Sequence, residues 1–224
     1  MKTMANAVTI CNIALSRVGN KANVSSIDPP DESTEAEACA RFYPLALGTL
    51  LDEHNWSFAT KRATLALRNT DATPWAFAYS LPSDCRHVIA VERTDEGAAT
   101  CDMPWGKQLP VGYINPRLDN YRTNAFEVMA SDSGLLLCTN VRNARVRYVM
   151  AQPSASSFPS AFTEALTWLL TTYLAGQTIR GEEGFNFAGA CNKFYKEALE
   201  KAKKRDCTQA YTARRHMPNG VLVR

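Results

Sequence analysis

STEAEACARFYPLALGTLLDEHNWSFATKR, residues Ser33 to Arg62, is the stretch around which the rest of the chain arranges itself. Ala36, Cys39, Phe42, Tyr43, Ala46, Leu47, Leu50 and Leu51 recur at three- and four-residue steps, so on a helix they form one apolar stripe. The breaker run Asp28-Pro29-Pro30 precedes it, and Ser33 or Asp31 is placed to cap the helix, with Glu35 and Glu37 over its positive end. Pro44 falls inside the pattern. It removes one backbone donor and crowds the preceding turn at a cost of roughly 3 kcal/mol, which predicts a kink near Arg41. After Glu53 the period changes, and Trp56, Phe58 and the alternating residues from Arg62 to Arg68 read as the start of a sheet.

Working outward, Val8 to Val18 predicts a short helix closed by Gly19, followed by a polar loop in which Val24 and Ile27 tuck against the helices. From Thr64 to Met150 the runs are short. Thr64–Leu67, Trp75–Leu81, His87–Arg93, Gln108–Ile114, Phe126–Ala130, Leu135–Thr139 and Arg145–Met150 are separated by turn residues, the pattern of a small antiparallel sheet or sandwich. In the last run Val146, Tyr148 and Met150 alternate with Arg145, Arg147 and Val149, predicting one core face and one wet face. Helical spacing returns at Phe162–Leu174 and from about Phe187 to Lys204, where Phe187, Cys191, Phe194, Tyr195, Ala198 and Ala202 share a side. The fold class expected is therefore α+β. Residues 1–62 and 151–206 supply the N- and C-terminal helices of a four-helix bundle, residues 63–150 an inserted antiparallel β domain, and residues 207–224 an extended tail.

The chain has 224 residues, 46% hydrophobic and 21% charged, ordinary figures for a globular protein able to bury its own core. No run reaches the roughly 18 apolar residues that span a bilayer, and the N-terminus, broken by Asn6, Asn12 and Ser16, does not read as a secretory signal; an origin in the cytoplasm is expected. Seven scattered cysteines without CxxC or Cys/His spacing are expected to be reduced packing residues, not metal ligands. The net charge of +3 is uneven: seven bases against Asp206 follow Lys201, so the first 200 residues carry a net negative charge. That basic end could bind nucleic acid, an acidic protein surface, or nothing.

Chemistry is hard to find. His54, His87 and His216 fall on different elements, no phosphate-binding glycine motif occurs, and Glu182-Glu183 between Gly181 and Gly184 reads as a turn rather than an acid/base dyad. Cys85 and His87 would share a strand face, but no oxyanion site or pocket accompanies them. No catalytic residue, cofactor or metal is expected. The aromatic set Phe42, Tyr43, Trp56, Phe58, Trp75, Phe77, Tyr79, Trp105 and Trp168 reads as a core at the helix-to-sheet junction, with Trp105, between Pro104 and Gly106, the exposed member and a candidate protein-interface residue.

Taken together, the opening ICNIALSRVGN, the block ESTEAEACARFYPLALGTLLDEHNWSFATKRATL, WAFAYSLPSDCRHVIAV, FPSAFTEALTWLLTTYLA and NKFYKEALEKAKKRD make the chain resemble the head-to-tail adaptor proteins of short-tailed bacteriophages, the tail tubular protein A family. The likeness runs over nearly the whole chain and is weakest between Thr94 and Leu136. It implies a non-enzymatic virion tail protein, made in the host cytoplasm. Such a protein forms a homo-oligomeric ring, a dodecamer in that family, beneath the portal protein. The ring extends the DNA channel and docks the tail nozzle protein. Double-stranded DNA would pass without sequence-specific binding, and no membrane is involved. A ring needs unlike faces that fit one another. On this resemblance Arg214, Arg215, Val221, Leu222 and Val223 are candidate portal contacts, and Lys203, Lys204 and Arg205 should face protein or outer solvent rather than the bore, where a basic stripe would hold phosphates. The readings that compete are a nucleic-acid-binding module using Lys201 to Arg215, another connector layer such as a head-completion or nozzle component, and an enzyme resting on Cys85 and His87.

Overall fold

A computed structural model describes residues 6–20, 23–69, 74–93, 125–131, 134–179 and 181–209. It is a mixed α+β protein whose described residues form four helices and two antiparallel sheets. The chain divides into two units, one holding residues up to Ser57 and from Ala155 onward, the other Phe58–Ser154.

In the first unit, α1 (Ala7–Arg17) ends as its sequence requires: Gly19 takes φ +85°, and the Asn20 amide closes on the Leu15 carbonyl at 3.1 Å. The loop beyond it is clasped by Asn12, whose side chain donates to the Val24 carbonyl at 2.9 Å and accepts from the Val24 amide at 2.8 Å. Val24 is thereby buried. α2 (Thr34–Asp52) is capped by Ser33, whose hydroxyl accepts from the Ala36 amide at 3.2 Å. Asp31 holds that cap from behind, accepting from the Ser33 amide and hydroxyl and from Ser25. The helix continues through Pro44 as one element and buries Ala36, Cys39, Tyr43, Ala46, Leu47, Leu50 and Leu51, the expected stripe apart from Phe42, which is half-buried against Tyr173.

α3 (Ser160–Thr178) is the most deeply embedded helix, with Phe162, Ala165, Leu166, Leu170 and Leu174 all essentially inaccessible, and it packs on α1, α2 and α4 (Glu182–Gln209). Two boundaries differ from the sequence reading. α4 begins at Glu182 rather than near Phe187, so the acidic pair read as a turn forms the first helical turn, where negative charge opposes the exposed amide dipoles. It also runs on to Gln209, so the first three residues of the predicted tail are helical.

The second unit has seven strands: β1 (Thr60–Thr64), β2 (Ala66–Asn69), β3 (Phe77–Ser80), β4 (Cys85–Arg93), β5 (Phe126–Ser131), β6 (Gly134–Thr139) and β7 (Ala144–Met150). They form sheets of order β1-β7-β4 and β2-β3-β6-β5. The run read as one strand, Thr64–Leu67, is where the chain changes sheets: Leu65 bonds the Ala144 carbonyl at 3.0 Å and buries its side chain between β1 and β2. Leu65, Tyr79, Val91, Leu137, Val141, Val146 and Tyr148 make one core from residues of both sheets, as in a sandwich. The expectation that the far side of β7 is wet fails. Val149 is fully buried, and Arg145 and Arg147 are half-buried.

Candidate functional site

Among the described residues no group of three His, Cys, Asp or Glu side chains could hold a metal ion. The Cys85–His87 pair, expected on one strand face, is split by a β-bulge: Cys85 stands opposite Met150 and packs on the core, whereas His87 stands opposite Val149 on the other face. Burial, then the neighbouring Asp84 charge, pushes the Cys85 thiol up, the reverse of activation. Asp84 itself accepts from Lys61 Nζ at 3.0 Å and Tyr148 Oη at 2.8 Å, which hold its carboxyl below the usual range. Burial, then that carboxylate, pushes Tyr148 up to about 12.

The ring contacts do not make one junction core. Trp56 packs edge-on against Phe162 at 5.0 Å in the helical unit, while Phe77 meets Tyr79 at 6.2 Å in the β unit. Trp105, Arg214, Arg215, Val221, Leu222 and Val223 lie outside the described residues, as do His216 and the Gln108–Ile114 run. Of the basic end, Lys203 is half-buried and pairs with Glu53 at 3.1 Å, and Lys204 and Arg205 are exposed.

What ties the two ends of the chain together is Asp206, 7% exposed near the end of α4. It accepts from the Ser57 hydroxyl at 2.6 Å, from the Ser57 amide at 3.1 Å and faces His54 Nε2 at 3.1 Å, all just beyond α2. Trp56 is locked in the same turn by a 2.7 Å hydrogen bond to the Leu50 carbonyl.

Two surface features stand out. On the outer side of the β1-β7-β4 sheet, Arg62 lies opposite Arg147, and Arg145 lies opposite Glu92. Arg62 pairs with Glu92 at 3.4 Å, and Arg147 Nε is buried with no hydrogen-bond partner, so three guanidinium groups share one carboxylate.

The second feature lies along α3 and α4. Glu164 accepts from Trp168 Nε1 at 2.9 Å and from Arg17 Nη2 at 3.0 Å, and the Arg17 guanidinium lies 3.9 Å from the Trp168 ring centroid. Phe194, read from the sequence as buried, is instead 48% exposed and stacks on Trp168 at 4.9 Å. These rings floor an open groove of about 390 Å³ whose far rim carries Lys201 and Arg205. Toward the other end of α4, Phe185 is 81% exposed, the most exposed large apolar side chain of the described residues. It falls outside the apolar stripe of its helix. That offset was its only signal in the sequence.

No protein-family model and no curated protein matches this chain. No described helix is long and apolar enough to cross a membrane.

Proposed function

We propose that the chain is a structural, non-enzymatic protein of a short-tailed phage virion, located in the tail. In this reading it is a head-to-tail adaptor that forms a ring, a dodecamer, below the portal protein, extends the DNA channel and receives the tail nozzle protein. Its four helices form a four-helix bundle carrying the β insertion, and the region after Gln209, with Arg214, Arg215 and Val221 to Val223, engages the portal. The observation that carries this reading is that both ends of the chain meet in one helical unit, joined at Asp206, with the strands gathered in the intervening segment. That order of elements agrees with the resemblance. Phe185, Phe194 and Leu45, exposed on the helical unit, supply the apolar surface that copies of the chain could cover.

Negative-stain imaging of the purified chain with and without portal protein tests it. Closed rings that dock on portal are expected; a chain that neither closes into rings nor binds portal overturns the reading.

A second reading, a nucleic-acid-binding module, is favoured by Arg62, Arg145 and Arg147 on one sheet face together with exposed Lys204 and Arg205. It requires binding to short duplex DNA that weakens steeply with salt, because each neutralised phosphate releases counterions. Binding insensitive to salt removes it.

A further inference from the structure

We propose that Phe185 of one copy seats in the Trp168–Phe194 groove of the next, and that Glu182 and Glu183 of the first copy pair with Lys201 and Arg205 of the second. The inference rests on the ring reading and names the contact that would build the ring.

Phe185 stands out because its surroundings leave it no choice. Gly184, on its N-terminal side, is buried so closely against the end of α3 that a Cβ there would sit 2.2 Å from the Ile179 carbonyl oxygen. The first turn of α4 is therefore pressed onto the chain before it, and the next side chain is turned into solvent, 81% exposed. Glu182 and Glu183, both exposed, flank it.

The groove has the complementary character. Its floor is aromatic, with Trp168 held in place by Glu164 and Arg17, and Phe194 lying against it. Lys201 and Arg205, one helical turn apart and both exposed, border it and make no hydrogen bond to a described carboxylate. Glu164, the acid nearest the rings, is already engaged by Arg17. An apolar knob beside two acids thus faces an aromatic slot beside two bases.

The geometry also excludes self-satisfaction. Phe185 and Lys201 are 16 residues apart on one continuous helix, about 24 Å at the α-helical rise, so a copy cannot fill its own groove. The contact joins unlike surfaces, which makes it heterologous. Such a contact propagates and, where the rotation per copy closes, yields a ring.

Mass photometry and sedimentation of the full chain test the contact. F185D removes the knob and F194D spoils the slot. Each variant alone is expected to be monomeric, with self-association weakened tenfold or more, as the loss of one buried Phe implies. Mixed, the two should form a capped heterodimer, because one intact knob and one intact slot remain between them. E182K/E183K should disrupt assembly, and adding K201E/R205E should restore it.

Several results overturn the contact. Rings of F185D like those of the wild type sink it while leaving the ring reading intact, and a mixture of F185D and F194D that stays monomeric, beside an assembling wild type, does the same. Wild-type dimers or open filaments that F185D abolishes keep the contact and sink the ring. A wild type that stays monomeric at every attainable concentration sinks both. Because Phe185 is solvent-exposed, F185D should melt like the wild type, and the charge-swap pair reports independently of it.

Discussion

Asp206→Ala should be the most damaging polar substitution in the helical unit. Its carboxylate is 7% exposed and accepts from the Ser57 hydroxyl at 2.6 Å, the Ser57 amide at 3.1 Å and His54 Nε2 at 3.1 Å. Hydrogen bonds to an ionised group contribute about 1.5–3 kcal/mol each, but they share one acceptor and do not add, and Ala also removes the cost of dehydrating the carboxylate. Against that, the Ser57 amide is left in a partly buried turn without its acceptor. The net loss is about 3 kcal/mol, which in a chain of this size lowers the melting temperature by about 6–12 °C. Asp206→Asn keeps one oxygen acceptor and should lose roughly half as much. Lys203→Ala, one turn from Asp206, breaks only the Glu53 pair and should change stability by less than about 1 kcal/mol. Thermal scans followed by far-UV circular dichroism read all three. A melting temperature for Asp206→Ala within about 2 °C of the wild type would refute the view that this carboxylate joins the two ends of the chain.

Gly184→Ala puts a methyl 2.2 Å from the Ile179 carbonyl oxygen, a backbone atom that cannot rotate away, and should destabilise by about 1–3 kcal/mol in urea titrations. Thiol labelling of the native protein should modify exposed Cys207 first and reach buried Cys11, Cys39, Cys138 and Cys191 only on unfolding; a fast Cys85 would reopen the enzyme reading. Hydrogen bonds from Ser33, then from Ser25, hold the Asp31 carboxyl well below its ordinary value, and Asn20 lowers Glu35. Depressed folded-state values contribute stability that is present above the unfolded value, about 4, and lost as pH falls through the folded ones, so melting temperature should drop in that acid range and Asp31→Asn should flatten the slope.

The helices were legible because their apolar residues obey one period over many turns. Ser33 at the N-cap of α2 and Gly19 at the end of α1 are local signals with local causes, and both act where the sequence puts them. The strands were legible as segments, yet their pairing was not, since pairing depends on residues far apart. Nothing within Thr64–Leu67 says that Leu65 leaves one sheet and enters another. Likewise the Cys85–His87 pair obeys the two-residue alternation of a strand only if no bulge intervenes, and one does. Asp206 was counted merely as the lone acid of a basic end, because its partners His54 and Ser57 lie about 150 residues away.

The surface features were hidden for a different reason. Phe194 and Tyr195 are adjacent, so about 100° of helical rotation separates them and only one can point fully inward; burial goes to Tyr195, leaving Phe194 to cover Trp168 from outside. Phe185 sits on the far side of the same helix, where a side chain contributing nothing to its own core should be polar by composition. A large apolar residue there, flanked by acids and set at a tight glycine, has no role in folding the monomer. The same holds for Arg147, whose Nε is buried without an acceptor on a face already rich in arginine. Both are features that the isolated chain does not satisfy, and that is the physical ground for seeking their complement on another copy or partner rather than within this one.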